Sequence, residues 1–308
     1  MTRVAAVDCG TNSVRLLIAD VDTATGSLRD VVRRLEIVRL GQDVDRTGRL
    51  ADEAVQRTLS VLREYAEQVS DRGAGRLRVV ATSATRDAVN RDEFVAGVVA
   101  VLGAAPEVVT GEQEAALSFA GATRELLGRR DVPSPYLVVD IGGGSTEFVL
   151  GRDTVEASAS IDLGCVRLTE RHFRHDPPLG DEVAGLEADL DAGLAEVRGA
   201  VPLGRVGSLV GVGGTVTTVA ALALGLETYD AGRIHLSRVP ANDVCDVSDR
   251  LLRMARAQRA ALPVMHPGRV DVIVAGALIL ATVVDRLGVD ELVVSEHDIL
   301  DGLAWSLA

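Results

Sequence analysis

One pattern occurs twice in this chain and constrains its fold more than any other feature. Near the start, two short apolar strands, Val4 to Val7 and Val14 to Ala19, flank the polar turn Asp8-Cys-Gly-Thr-Asn-Ser13. Further on, Tyr136 to Val139 and Glu147 to Leu150 flank Asp140-Ile-Gly-Gly-Gly-Ser145. Aligning Asp8 with Asp140, 132 residues on, sets Gly10 on Gly142 and Ser13 on Ser145. A strand, a D-x-G-x-x-S turn and a second strand therefore open each half of the chain. The duplication predicts two lobes, and 308 residues agree with two domains at about 150 residues each.

Between and after the two copies, strand and helix signals alternate, which argues for α/β architecture. A third strand is expected near Val31 to Leu40. Val55, Leu59, Leu62, Ala66 and Val69 then recur at the spacing of one buried helical face. Leu77 to Ala81 reads as a strand, Asn90 with Glu93 as the start of a helix through Leu102, and Glu107 to Val109 as another strand. Thr110 with Gln113 makes a capping-box pattern for a helix to about Leu127. The polar, proline-containing stretch 128–135 is the best linker. Lobes are expected at 1–127 and 134–308, with the option that the last helix, 298–308, packs back on the first. Helices are expected near 180–200, 213–225, 241–260 and 270–286, a strand at Leu292 to Ser295, and a final helix from Asp298.

The duplicated turn suits phosphate. Glycine permits positive φ and leaves no side chain above the backbone, so several N–H groups can converge on one anion. Thr11, Ser13 and Ser145 add hydroxyl donors. Asp8 and Asp140 would repel phosphate directly, so they are expected to hold a Mg²⁺ ion or its waters beside it. Gly211-Val-Gly-Gly-Thr215 is a third glycine loop between a strand and a helix, and would grip a phosphate cleft from the second lobe.

Composition removes other chemistries. All 32 basic residues are arginine and none is lysine, which excludes a Schiff-base lysine and a P-loop lysine. A net charge of −13 with 3% aromatic residues argues against a nucleic-acid surface. Cysteines 9, 165 and 245 have neither metal nor redox spacing. His172 and His175 have helical spacing without an evident third ligand, and the remaining histidines show no useful arrangement. The start lacks the apolar core of a signal peptide. Val206 to Leu226 carries no charge but contains five glycines, and reads as strand, glycine turn and buried helix, not as a membrane span. The chain is expected to be soluble and cytoplasmic.

These turns and the third loop resemble the acetate kinase, sugar kinase, heat-shock protein and actin superfamily. More narrowly, the chain resembles the exopolyphosphatase and guanosine pentaphosphate phosphohydrolase family, Ppx/GppA. Four stretches carry the narrower likeness: A-A-V-D-C-G-T-N-S (5–13), A-T-S-A-T-R-D-A (81–88), T-G-E-Q-E-A (110–115) and V-D-I-G-G-G-S-T-E (139–147). Weaker echoes are Leu163 to Arg167, Gly213 to Thr215 and Ser295 to Gly302. The likeness runs through essentially the whole chain in order.

The resemblance implies a two-lobed, actin-like α/β fold with a duplicated β-sheet domain and an interdomain cleft. It implies hydrolysis of the terminal phosphoanhydride of inorganic polyphosphate, with release of orthophosphate. The close alternative is guanosine pentaphosphate (pppGpp), a stringent-response nucleotide. More distant alternatives are a small-molecule kinase and a non-catalytic nucleotide-binding protein. The family's catalytic base falls on Glu114, with Glu112 its rival, and Gln113 replaces a family glutamate. Phosphate binding falls on Gly10, Thr11, Asn12, Ser13, Arg86, Gly142, Gly143, Gly144, Ser145, Gly213, Gly214, Thr215 and Arg167. The metal set is Asp8, Asp140 and Glu147. Mg²⁺ or Mn²⁺ is the implied cofactor, K⁺ a stimulating ion, and a homodimer the implied assembly.

Larger family members continue into helical domains that extend the binding channel, whereas this chain ends at Ala308. Beyond the cleft, a long polyphosphate would meet a lysine-free surface of net negative charge, where added phosphates find few donors. Short chains and distributive cleavage are therefore expected. A time course on long polymer checks this: intermediates should accumulate, whereas full-length material coexisting only with free phosphate would show processive cleavage.

Overall fold

The structure, a computed structural model, describes all 308 residues. They form two compact units: Met1–Gly121 with Asp298–Ala308, and Ala122–His297. The first unit opens with an antiparallel meander of β1 (Thr2–Cys9), β2 (Ser13–Asp22) and β3 (Ser27–Ile37). After the single turn α1 (Val44–Thr47), α2 (Asp52–Asp71) carries the chain over, so that β4 (Arg76–Ala81) lies parallel to β1. Then follow α3 (Ser83–Asp87), α4 (Arg91–Leu102), β5 (Glu107–Val108), parallel to β4, and α5 (Gly111–Thr123).

The second unit repeats the plan. A meander of β6 (Tyr136–Ile141), β7 (Thr146–Gly151) and β8 (Val155–Ile161) leads through α6 (Cys165–His172) and α7 (Gly180–Ala200) to β9 (Ser208–Val212), parallel to β6. After it come α8 (Gly214–Ala223), α9 (Ala231–Ile234), β10 (Arg238–Pro240), α10 (Ala241–Arg253), α11 (Arg256–Ala260) and α12 (Ile273–Leu287). The unit closes with β11 (Glu291–Val294), parallel to β9, and the chain ends with α13 (Ile299–Ser306) in the first unit. The sheet orders are β3-β2-β1-β4-β5 and β8-β7-β6-β9-β11-β10. Strand for strand, the first is contained in the second. This is the α/β architecture with a duplicated sheet that the paired turns imply.

Alternation along the strands explains the layers, because successive side chains leave a strand on opposite faces. Ala5, Val7 and Cys9 of β1, with Leu16 and Ile18 of β2, pack against Leu59, Leu62 and Tyr65 of α2 and against Phe94 and Val98 of α4. Val4 and Ala6, with Leu17, Ala19 and Val21, face Ile299, Leu300, Leu303 and Ala304 of α13. Covering both faces is why these strands read as continuous apolar runs. In the second unit one core joins β6, β7, β9 and β11 to α7, α8, α10 and α12.

Several local expectations shift. The third strand lies earlier, at Ser27–Ile37, as a hairpin partner of β2. The helix expected over 241–260 breaks at Met254, whose backbone is extended. Helix α4 starts after Asn90, but the Asn90 side chain does not cap it: its Oδ1 accepts from Leu50 N and its Nδ2 donates to Leu50 O. Strand β8 and helix α6 had no sequence signal strong enough to mark them. Strand β8 is an edge strand built of small residues, and α6 is only 8 residues long. The uncharged stretch from Val206 becomes β9, a glycine turn and α8, and no helix is long and apolar enough to cross a membrane.

Helices α5 and α13 approach closely at two glycines. A Cβ on Gly121 would lie 1.9 Å from Asp298 O, and one on Gly302 would lie 2.0 Å from Leu117 O. Both obstacles are backbone, which no rotamer change can move. Gly302→Ala should therefore lower the unfolding free energy by about 1–3 kcal/mol, the usual cost of overpacking. Gly199, exposed near the end of α7 with nothing within 4 Å, is the control. Gly199→Ala should stabilise by roughly 0.5–1 kcal/mol through helix propensity. Urea unfolding of both variants checks the pair.

Candidate active site

Every residue singled out in the first-unit motifs lies where a strand ends. The loop 10–13 joins β1 to β2, Arg86 lies on α3 after β4, and Glu114 lies in the first turn of α5 after β5. In the second unit the loops 142–145 and 213–215 leave the carboxyl ends of the parallel neighbours β6 and β9. Outside the carboxyl ends of strands is where α/β sheets bind ligands.

The two copies of the turn share their backbone bond. Gly10 N donates to Ser13 O, and Gly142 N donates to Ser145 O, each at 3.0 Å. A Cβ at Gly10 or Gly142 would lie 3.1 or 3.0 Å from that same carbonyl oxygen. Close approach thus favours glycine here, since any side chain would have to push that carbonyl aside. Positive φ, the expected reason, is found instead in the third loop, at Gly213 (φ 89°).

The loop carbonyls are bonded away from the site. Thr11 O accepts from Gly41 N, and Asn12 O accepts from Val38 N and Arg39 N. Gly142 O accepts from Cys165 N, Gly143 O from Val166 N and Arg167 N, and Gly144 O from the Arg167 guanidinium at 2.8 Å. In a planar trans peptide the N–H points opposite to the C=O. The N–H groups of Asn12 and Ser13, and those of Gly143, Gly144 and Ser145, are therefore turned away from these partners. Runs of such outward N–H groups make anion-binding concavities. Arg167, expected as a phosphate ligand, holds the loop's backbone through its Nε.

The carboxylates differ sharply between the copies. In the β1–β2 register Asp8 stands opposite Arg15, while in the β6–β7 register Asp140 stands opposite Glu147. Arg15 donates twice to Asp8 Oδ2, at 2.7 and 3.0 Å, and also to Asp298, the cap of α13. Burial pushes the Asp8 carboxyl up from its ordinary range against the pull of Arg15. Burial also works to raise that of Asp298, but Arg15 and Arg33 prevail and hold it below the ordinary value. Asp8 Oδ1 is buried with no hydrogen-bond partner. Asp140 and Glu147 are instead two acids in direct cross-strand register, an unfavourable pair for a sheet. Glu147 is buried and accepts from Ser160 Oγ at 2.9 Å. Paired hard oxygen donors fit a hard divalent cation.

Helix α5 begins with a reciprocal cap: Thr110 N donates to Gln113 Oε1 and Gln113 N donates to Thr110 Oγ1. Gln113, the departure from the family motif, is thereby committed to the helix start. Glu112 is exposed, whereas Glu114 is half-buried and lies 3.3 Å from Arg86 Nη1. Arg86 also donates to Val109 O at 2.9 Å, which fixes the guanidinium beside the carboxylate.

The third loop holds a residue that sequence reasoning missed. A Cβ on Gly214 would lie 1.2 Å from Arg269 Nη1, so the guanidinium rests directly on that glycine. Gly214 is the first residue of α8, and a helix N-terminus with a cation beside it favours an anion. No local pattern near Arg269 announces this, since 54 residues separate it from Thr215. A Cβ on Gly213 would lie 3.1 Å from Asp140 Oδ1, which brings this loop against the carboxylate. The thiols beside the loops, Cys9 and Cys165, are buried, and burial pushes both up from the ordinary thiol range.

Fold and site together define an α/β protein with duplicated glycine loops built for anions and an acid-lined strand end. The chain belongs to the Ppx/GppA phosphatase family, which it matches over residues 17–308. It is 53% identical to Exopolyphosphatase 2 of Mycobacterium tuberculosis, across 100% of this chain and 99% of the relative. The crystal structure of an exopolyphosphatase-like protein is similar to it with a TM-score of 0.94 and 43% identity, covering 99% and 98% of the two chains. The Aquifex aeolicus Ppx/GppA family member is similar with a TM-score of 0.82 and 32% identity, covering 99% and 97%.

Arg15 is bonded to two buried carboxylates, so removing it strands Asp8 and leaves Asp298 with Arg33 as its remaining countercharge. Breaking a buried pair typically costs about 3–5 kcal/mol, and Arg15→Gln should destabilise the first unit on that scale. Chemical denaturation checks it. Exposed Arg46, bonded to Asp43, is the comparison, and Arg46→Gln should change stability by less than about 1 kcal/mol.

Proposed function

We propose that this chain is an exopolyphosphatase, hydrolysing the terminal phosphoanhydride of inorganic polyphosphate and releasing orthophosphate. The observation that carries the reading is the Arg86–Glu114 contact at the start of α5. It pairs a half-buried carboxylate with a guanidinium suited to phosphate oxygens. The chain has no lysine and the Cys9 and Cys165 thiols are buried, which favours direct attack by water. Glu114 takes a proton as the water oxygen bonds to the terminal phosphorus, and the bridging P–O bond breaks toward the penultimate phosphate. Arg86 and the outward N–H groups of the glycine loops stabilise the charge on the phosphoryl oxygens, the usual main source of such catalysis. Thr11, Ser13, Ser145 and Thr215 add hydroxyls, and Arg269 joins the set at the third loop. Arg167 acts by holding the second loop in shape.

Asp140 and Glu147 would hold a divalent cation, Mg²⁺ or Mn²⁺. Such a cation supplies charge neutralisation at the phosphate oxygens. Stimulation by K⁺ and a homodimer rest on the family resemblance alone, and a cytoplasmic location on the lack of a signal-peptide pattern. Full-length likeness to a relative named Exopolyphosphatase 2 favours polyphosphate over guanosine pentaphosphate.

Phosphate release from defined-length polyphosphates and from guanosine pentaphosphate, measured side by side, tests the reading. Polyphosphate should be the faster substrate, and excess chelator should stop release. Glu114→Gln should lower the rate by roughly 10²- to 10⁴-fold, the usual contribution of a positioned general base, while binding persists. A variant keeping half the wild-type rate would move the base to Glu112, and faster release from guanosine pentaphosphate would reassign the substrate.

A further inference from the structure

Two histidines and a glutamate that serve none of the chemistry above meet within the second unit. Glu125, His235 and His297 place one ligand atom each within 4.8 Å of one another. His235 Nε2 lies 3.0 Å from Glu125 Oε2, and His297 Nδ1 lies 3.7 Å from Glu125 Oε1. The second distance is too long for a hydrogen bond. Both are near the ligand–ligand edge of a tetrahedral zinc site, about 3.3 Å for metal bonds of about 2.0–2.1 Å. The imidazole rings are 4.4 Å apart, tilted by 41°.

Backbone bonds tie down the three segments that carry these side chains. Leu236 N donates to Val294 O and Val294 N to Ser237 O, which ties the His235 segment to the end of β11. Ser295 Oγ donates to His297 O and accepts from His297 N. On the third side Leu126 N donates to Thr123 O, and Leu126 O accepts from Tyr136 Oη at 2.8 Å. The three backbone segments that carry the ligands are thus each tied to their surroundings.

We infer that Glu125, His235 and His297 form a binding site for zinc or a similar first-row divalent ion, distinct from the phosphate loops. Imidazole with carboxylate suits such ions better than Mg²⁺, and half-exposed Glu125 leaves a fourth position to water. The second unit spans Ala122–His297, so Glu125 is its fourth residue and His297 its last. An ion here clips the two ends of that unit together, and cross-links closing long loops restrict the unfolded chain most. At present His235 Nδ1 accepts from Glu296 N at 3.2 Å. An ion on Nε2 leaves the ring proton on Nδ1, so that contact opens when the site fills.

The test uses the full chain without any affinity tag, stripped of metal and then equilibrated with Zn²⁺ or Co²⁺ in millimolar Mg²⁺. Elemental analysis should find one zinc per chain, Co²⁺ should show the visible bands of imidazole ligation, and zinc should raise the melting temperature. Glu125→Gln and His297→Gln should each weaken zinc binding at least tenfold, since even outer partners of ligands are worth about 10–100-fold. Both variants should keep Mg²⁺-supported phosphate release within twofold, so a failure here is separable from a failure of the phosphatase reading. The amide of Glu296 should exchange faster with zinc bound. Wild-type protein that retains no zinc, or variants that bind it as tightly, would overturn the site.

Discussion

The backward hydrogen bonding of the glycine-loop carbonyls is the constraint on which the rest of the site depends. An anion-binding loop needs its N–H groups exposed, yet each peptide carries an acceptor that repels the same anion. Here the segment Val38–Gly41 takes the carbonyls of the first loop, and the start of α6 takes those of the second. Peptide planarity then does the orienting. Cysteine 165 and its neighbours matter through their backbone, and Gly164 matters because a Cβ there would lie 2.4 Å from Gly143 C. The support for the loop comes from residues that carry no chemistry themselves.

Duplication built two equal scaffolds, and one position separates their electrostatics. The strand partner of the turn aspartate is Arg15 in one copy and Glu147 in the other. With arginine, Asp8 is neutralised inside the protein and joined to Asp298, which anchors the N-terminus of α13 on the first sheet. With glutamate, the same geometry concentrates negative charge and calls for a cation. A single change of charge on a conserved frame thus makes one copy a structural joint and the other a candidate metal centre.

How much of the site was legible depended on whether its signal was local. The glycine turns, the Asp residues and the cap Thr110–Gln113 are contiguous in sequence, and each appears where its pattern places it. Preference for Glu114 over Glu112 rested on the family motif, and the burial of Glu114 and its Arg86 contact agree with it. The loop-holding role of Arg167 and the presence of Arg269 over Gly214 were not legible, since side-chain reach and a distant turn decide them. The same holds for His235, His297 and Glu125. His235 and His297 stand 62 residues apart in the chain and meet only because β11 and the segment after α9 are bonded together.

By itself the sequence determined the duplicated α/β plan, because alternation of apolar residues and the placement of glycine act over a few neighbouring positions. It also determined the chemistry on offer: arginine without lysine, paired acids, glycine loops and no disulfide spacing. Tertiary structure decided which of these groups act together. Strand register set Arg15 against Asp8 and Glu147 against Asp140, two choices that a one-residue slip would reverse. Helix packing at Gly121 and Gly302 placed the last helix on the first sheet, whose strands lie far from it in sequence. Those outcomes depend on contacts between distant segments, and their energies exist only once the chain has closed on itself.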